Sequence, residues 1–173
     1  MDENAISGDP DRKSEERQYF RFFRNHDIPK SFLEQRKNEW FEKNRDKSNY
    51  PDLIWSLSNE LIHEYSKSDD FFNMKMLYFE LAFFQKSMNK EFFHLLQQSK
   101  KMELFEIRKQ VCDNSGCEVT IRGGEPDCPE CNALDGKIFT IREALEKMPI
   151  PPKKCSHNNG WCTCCYTANF NEK

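Results

Sequence analysis

Apolar residues recur every three or four positions through residues 14–110, which is the spacing that places them on one face of an α-helix. Short polar connections at 66–68 and 87–89 interrupt this pattern and favour antiparallel packing of consecutive helices. The pattern predicts helices that begin near Ser31, Asp52, Asp69 and Lys90. We therefore expect a helical bundle here, preceded by a disordered polar tail over residues 1–13.

Two pairs of residues have the spacing of a capping box, in which a hydroxyl and a carboxylate three residues apart satisfy free amides at a helix start. Ser31 and Glu34 form the first pair, at the beginning of an expected helix. Thr140 and Glu143 form the second, before a short apolar stretch that Pro149 ends. Each pair predicts a helix N-terminus.

The helical periodicity ends near residue 111. Three later segments have the alternation or the flanking turn residues of strands, namely 117–122, 137–139 and 161–168. The predicted fold class is α+β, with an N-terminal bundle of about four helices followed by a small β-rich domain with one short helix. The expected domain boundaries are 14–110 for the helical domain and 111–173 for the second domain.

Composition restricts the classes of protein to which the chain can belong. With 37% hydrophobic and 32% charged residues, the 173-residue chain has the composition of a globular protein. No apolar run approaches the roughly 18 residues of a membrane span, and the polar start Met1-Asp-Glu-Asn4 argues against a secretory signal. We therefore expect a cytoplasmic protein with no membrane partner, in which thiols stay reduced.

The net charge of −3 is distributed over both parts of the chain. Residues 1–110 contain 19 basic and 20 acidic side chains, and residues 111–173 contain 7 and 9. General nucleic-acid-binding proteins are usually strongly basic, so this balance does not favour that class.

The eight cysteines all follow residue 111, and most of them form two clusters. Cys128-Pro-Glu-Cys131 is the first cluster, and the second is Cys155, Cys162, Cys164 and Cys165. Four thiolates that converge from two segments are the usual ligands of a structural zinc ion, which contributes about 10–16 kcal/mol of apparent binding free energy. The spacing predicts a zinc knuckle, so the second domain is expected to be held together by zinc.

The candidate metal ligands are Cys128, Cys131, Cys155, Cys162 and Cys164. These five sulfurs compete for the four positions around a tetrahedral ion. Cys162 and Cys164 are two residues apart, so both project to one side of an extended segment and Cys165 projects to the other. His157 is a further candidate, although the abundance of nearby sulfur favours a set made of thiolates alone. No catalytic residue and no organic cofactor is predicted.

Other arrangements of the same residues remain open. A second metal site would use Cys112, Cys117, Cys165 and His157. A redox dithiol at Cys128 and Cys131 is disfavoured, because Asp135-Gly136 breaks the long helix that such a site needs.

Two other functions also remain open. A nucleic-acid-binding zinc protein would use Lys153, Lys154, Arg122 and Trp161 on one face. A metal-dependent hydrolase would use His157 with one of Glu125, Asp127 or Asp135.

The cysteine-rich segment contains the run Cys128-Pro-Glu-Cys-Asn-Ala-Leu-Asp-Gly-Lys-Ile-Phe139, then Pro151-Pro152 and then Cys162-Thr-Cys164. This order of motifs resembles the C-terminal segment of phage Mu F-like head morphogenesis (minor head) proteins. In that family a Cys-Pro-x-Cys…Leu-Asp-Gly-Lys-x-Phe stretch precedes prolines and a His-Pro-Asn-Cys-Arg-Cys type of ending. The resemblance implies a metal site and a phage-related origin.

The chain also departs from that family. Lys153-Lys154-Cys155 stands where the family has a His-containing ending, and residues 158–161 are inserted before the last Cys-x-Cys. The helical segment does not look like the body of a head morphogenesis protein, so a role in capsid assembly does not follow. The whole chain also looks like uncharacterised bacterial proteins that combine helices with a zinc knuckle.

Together these patterns predict a non-enzymatic zinc-binding interaction module with structural zinc and protein partners. The alternatives are a nucleic-acid-binding zinc protein and a metal-dependent hydrolase.

Overall fold

A computed structural model of the chain describes residues 10–45, 49–111, 117–123 and 128–169. The chain divides into two compact units, the first ending at His63 and the second beginning at Glu64. In the described parts of the chain, no helix combines the length and the apolar character that crossing a membrane requires.

The first unit contains three helices. Helix α1 spans Pro10–Phe22 and continues into a 3₁₀ turn at Phe23–Asn25, α2 spans Lys30–Asn44, and α3 spans Tyr50–Lys67 and contains the division between the units. The core of this unit consists of Tyr19, Phe23, Leu33, Tyr50, Leu53, Ile54 and Leu57. The Tyr19 hydroxyl donates a 2.9 Å hydrogen bond to the carbonyl of Leu33, so its buried polar atom is satisfied.

The second unit begins with a pair of packed helices and ends with a small sheet. Helix α4 spans Phe71–Ser87, and α5 spans Phe93–Val111. The elements that follow are β1 (Glu118–Arg122), the single-turn helix α6 (Pro129–Asn132), β2 (Ile138–Thr140), α7 (Ile141–Lys147) and β3 (Cys165–Asn169).

The three strands form an antiparallel sheet in the order β2-β1-β3. Val119, in the central strand, lies opposite Phe139 on one side and Ala168 on the other. Both α5 and α7 pack against this part of the unit. One buried cluster joins the side chains of these elements, and it contains Leu104, Val119, Ile121, Ile141, Ala144, Ile150, Tyr166 and the cysteines Cys128, Cys131, Cys155, Cys162 and Cys164.

The predicted α+β class is confirmed, with a helical N-terminal region and a small sheet near the C-terminus. The capping box of Thr140 and Glu143 is also confirmed, since the Thr140 hydroxyl accepts the amide of Glu143 and the Glu143 carboxylate accepts that of Thr140. Asp70 caps α4 by accepting the amide of Asn73.

One sequence prediction about a helix start is wrong. Ser31 does not cap α2, because that helix begins one residue earlier, at Lys30, and Pro29 precedes it. The carbonyl of Pro29 accepts the amides of Phe32 and Leu33 in place of a side-chain cap. Of the residues in the expected tail, 10–13 lie in α1, and residues 1–9 lie outside the described residues.

The two compact units divide at a different point from the boundaries predicted from the change in periodicity, because α4 and α5 belong with the cysteine-rich segment. The change of pattern near residue 111 coincides with the end of α5 at Val111. The domain boundaries at 14–110 and 111–173 stay a prediction.

The sheet offers a matched test of its packing. Ile121 on β1 is fully buried, whereas Ile138 on β2 is 57% exposed. We expect Ile121→Ala to lower the free energy of unfolding by about 2–5 kcal/mol, because it leaves a cavity, and Ile138→Ala to change it by about 0.5 kcal/mol or less. Urea denaturation at equal metal content measures both values, and similar losses for the two variants would contradict the core described above.

Candidate metal centre

The single-turn helix α6 places the first two sulfurs. Cys128 stands at its N-cap with extended backbone, and Pro129 occupies the first helical position, where a missing amide costs nothing. The amide of Asn132 donates a 2.9 Å hydrogen bond to the carbonyl of Cys128. The turn thus holds Cys128 and Cys131 on the same side of a rigid loop.

The other sulfurs come from the loop between α7 and β3. The amide of Cys155 donates to the carbonyl of Pro152, and a 3₁₀ turn at His157–Asn159 then reverses the chain. Gly160 has a φ of 87°, a left-handed conformation that suits glycine. The amide of Cys162 donates to the carbonyl of Gly160, so the chain re-enters the core at Cys162. Residues 158–161 therefore form the return of this loop.

All five predicted sulfurs converge. The Sγ atom of Cys155 lies 3.8 Å from that of Cys128 and 3.7 Å from that of Cys131. The Cys131 Sγ atom is also 3.9 Å from that of Cys162. Among the described residues, metal-ligating atoms within 4.8 Å of one another form two triads, Cys128–Cys131–Cys155 and Cys131–Cys162–Cys164. Cys131 belongs to both triads, and each of them can hold a metal ion.

The five thiols are buried and form part of the hydrophobic core. Burial raises the pKa of the Cys131 and Cys155 thiols, because a thiolate is poorly solvated there. The neighbouring sulfur of Cys164, together with burial, raises the pKa of the Cys162 thiol. A cation at the centre of the sulfurs would reverse this penalty, since it supplies the opposite charge that the site lacks.

Cys128 differs from the others. The hydroxyl of Ser156 and the amide of Cys131 donate hydrogen bonds to its sulfur and lower its pKa to about 5. The backbone amide of Ser156 also donates a hydrogen bond to the sulfur of Cys128, and the backbone amide of His157 donates one to the sulfur of Cys155. Donors of this kind stabilise the thiolate form, which is the form that binds a metal ion.

Sequence reasoning missed Ser156. Its role depends on the turn that follows Cys155, which brings its hydroxyl and amide to a cysteine far away in the chain. The available signal was the position of a hydroxyl residue directly after a candidate ligand, and that signal is too common to be diagnostic.

The remaining candidates lie outside the sulfur cluster. His157 lies in the 3₁₀ turn, and its side chain is in neither triad, although its backbone amide contacts Cys155. Cys165 is a reduced, half-buried thiol on β3. Cys117 is disulfide-bonded, so its sulfur is not available to a metal ion and the expectation of reduced thiols does not hold for it. Cys112 lies outside the described residues.

The structure also shows the surroundings of Trp161 and Asp135, two of the residues predicted for the alternative functions. Trp161 is only 9% exposed, and its ring packs on Phe79 at 5.0 Å between centroids and on Phe92 at 5.8 Å. It therefore offers no free face on which a nucleic-acid base could stack. The Asp135 carboxylate accepts a 2.7 Å hydrogen bond from the amide of Gly123, which is a structural role. Glu125 and Asp127 lie outside the described residues.

Comparisons with known proteins leave the chemistry of this site as the main guide to function. No protein-family model matches the chain, and neither the curated proteins nor the solved structures with which it was compared gave a match.

The raised pKa values predict a pH dependence of metal binding. Thiols with a raised pKa are protonated at neutral pH in the metal-free protein and must release those protons to bind, whereas Cys128 is already ionised. The affinity for Zn²⁺ should therefore rise by more than about tenfold per pH unit near neutral pH, since more than one proton is released for each ion. Competition with a chromophoric chelator measures this slope, and an affinity independent of pH would contradict the assigned protonation states.

Proposed function

We propose that the chain is a non-enzymatic interaction module whose second unit is stabilised by a structural zinc ion. The observation that carries the proposal is the convergence of five buried sulfurs from two separate segments. A reducing, cytoplasmic compartment would keep these thiols available to the ion.

The sulfur spacing fits zinc. Tetrahedral coordination with Zn–S bonds of about 2.3 Å requires neighbouring sulfurs about 3.8 Å apart. Three separations within the cluster, 3.7, 3.8 and 3.9 Å, agree with that requirement. Cys128, Cys131 and Cys155 supply three ligands, and the fourth is drawn from the second triad, in which Cys162 and Cys164 both lie beside Cys131. One of these two sulfurs then remains as a surplus beside the site.

The donor set supports a structural role for the ion. Catalytic zinc sites usually keep a coordination position for water and use nitrogen or oxygen ligands beside a general base. Here the groups that converge are sulfurs, and one more is available than a tetrahedral ion needs. A set of this kind favours a closed site.

An exposed aromatic face on α4 supports a protein partner. Phe72 is 52% exposed and Phe83 is 62% exposed, and Phe79 lies between them on the same side of the helix. Lys75 lies over the ring of Phe72 at 5.0 Å. Large apolar side chains in a row on a surface are typical of protein-binding surfaces.

The resemblance to the phage Mu F-like segment is part of this proposal. It rests on the order of the motifs in residues 128–164, and it supports a knuckle of the same kind on a different helical body.

Removing the first two ligands tests the role of zinc. The double variant Cys128→Ser, Cys131→Ser should lose the ion and, with it, the order of the sheet, because the binding free energy of structural zinc is of the same order as the stability of a small domain. Zinc content by atomic emission and amide hydrogen exchange in β1 and β3 report these two losses. Exchange in α1 and α2 should be unchanged.

Cys165→Ser is the matched control, since Cys165 belongs to neither triad. This variant should keep its zinc and the protection of both strands. If the double variant kept one zinc ion per chain, or kept wild-type protection in β1 and β3, the structural role of zinc would be refuted.

A further inference from the structure

We propose that the five-sulfur cluster also binds two Cu(I) ions, each held by three thiolates, with Cys131 bridging the two ions. This binding mode uses the same sulfurs as the zinc site proposed above, but it does not depend on zinc being the resident ion. It assigns a role to the fifth sulfur, which a four-coordinate ion leaves unused.

The arrangement of the sulfurs carries the inference. Each triad has its three ligand atoms within 4.8 Å of one another, and the two triads share Cys131 alone. Within the described residues, neither triad extends to a fourth ligand atom at that spacing. A single tetrahedral ion must draw a fourth sulfur towards the first triad, whereas two three-coordinate ions use the sulfurs as they are grouped.

Zinc and Cu(I) differ in the number of ligands they prefer, and this difference determines how many ions of each the cluster can hold. Thiolates are soft ligands that select Cu(I) as well as zinc. Cu(I) has a filled d shell and a single charge, so it readily accepts three ligands, and two such ions with one bridging sulfur need five thiolates in total. Two four-coordinate zinc ions with one bridging sulfur would need seven ligands, which the cluster does not contain. The same cluster therefore has room for one zinc ion or for two Cu(I) ions.

The surroundings suit Cu(I). The five side chains are between 0% and 7% exposed, so bulk water and dissolved oxidants have little access to the ions. The hydrogen bonds that Cys128 and Cys155 accept from Ser156 and His157 offset part of the negative charge that five thiolates bring. On binding, each protonated thiol releases its proton to solvent and no electron is transferred.

A copper titration of the full chain tests this inference. Cys112, Cys117 and Cys165 are replaced by Ser, so that only the five cluster thiols remain. Cu(I) is then added anaerobically in the presence of a chromophoric Cu(I) chelator. We expect two ions per chain to resist the chelator, with luminescence typical of shielded Cu(I)–thiolate clusters and a copper–copper distance in the X-ray absorption spectrum. A single bound ion, or two ions without copper–copper scattering, would overturn the proposal.

Two further substitutions in this background locate the ions. Cys164→Ser should leave one three-coordinate ion, since the triad of Cys128, Cys131 and Cys155 stays intact. Cys131→Ser should abolish the copper–copper signal and the luminescence even if single ions still bind to the remaining pairs of thiols. If either variant retained two bridged ions, the proposal that Cys131 bridges the two ions would be refuted.

The same background also separates this inference from the proposed function. A parallel zinc titration should give one ion per chain. Two Cu(I) ions without any tight zinc binding would refute the structural zinc and leave the copper site standing. One zinc ion with only one Cu(I) ion would refute the two-ion copper site and leave the structural zinc standing.

Discussion

The second unit depends on the convergence of cysteine sulfurs inside its core. In a domain of ordinary size, aliphatic side chains fill this position and the hydrophobic effect holds the elements together. Here the single-turn helix α6 and the loop that precedes β3 meet through sulfur atoms that lie among Val119, Ile121 and Ile150. Buried thiols pack as small apolar groups while they are protonated. Once a cation replaces their protons, the same contacts become strong bonds between segments that are distant in the chain.

The segment that carries Cys155, Cys162 and Cys164 also connects the sulfur cluster to the helices of the same unit. The loop from Cys155 to Cys162 carries Trp161, whose ring packs on Phe79, Phe83 and Phe92. Lys86 donates a hydrogen bond to the carbonyl of Asn158 in the same loop. At the other side of the sheet, the Glu103 carboxylate accepts the amide of Tyr166. The loop from Cys155 to Cys162 and the strand β3 that follows it are therefore anchored to α4 and α5, and these helices belong to the same compact unit as the cysteines.

Local rules predicted the features that depend on neighbouring residues. The helical and alternating periods gave the α+β class, and Thr140 with Glu143 gave the start of α7, because a capping box needs only residues three positions apart. The same rule failed at Ser31, since Pro29 supplies its carbonyl to the first turn of α2 and the helix starts before the serine. The five candidate sulfurs were identified from spacing alone, whereas Ser156 was not, because its contact with Cys128 exists only after the loop has folded. The assignment of α4 and α5 to the same unit as the cysteines could not be predicted from the sequence either, since it depends on long-range packing of aromatic rings.

The exposed aromatic face of α4 includes two of the rings on which Trp161 packs. The ring of Trp161 packs on Phe79 and Phe83 of α4, and Phe83 nevertheless remains 62% exposed. In the proposed structural site, the ion would have no coordination position left for a substrate, so a partner would contact surface side chains. Among the described residues of this unit, the exposed large apolar side chains are the rings of Phe72, Phe79 and Phe83 on α4 and Ile138 on β2. The ion would then act on binding indirectly, because it holds the loop that positions Trp161 against those rings.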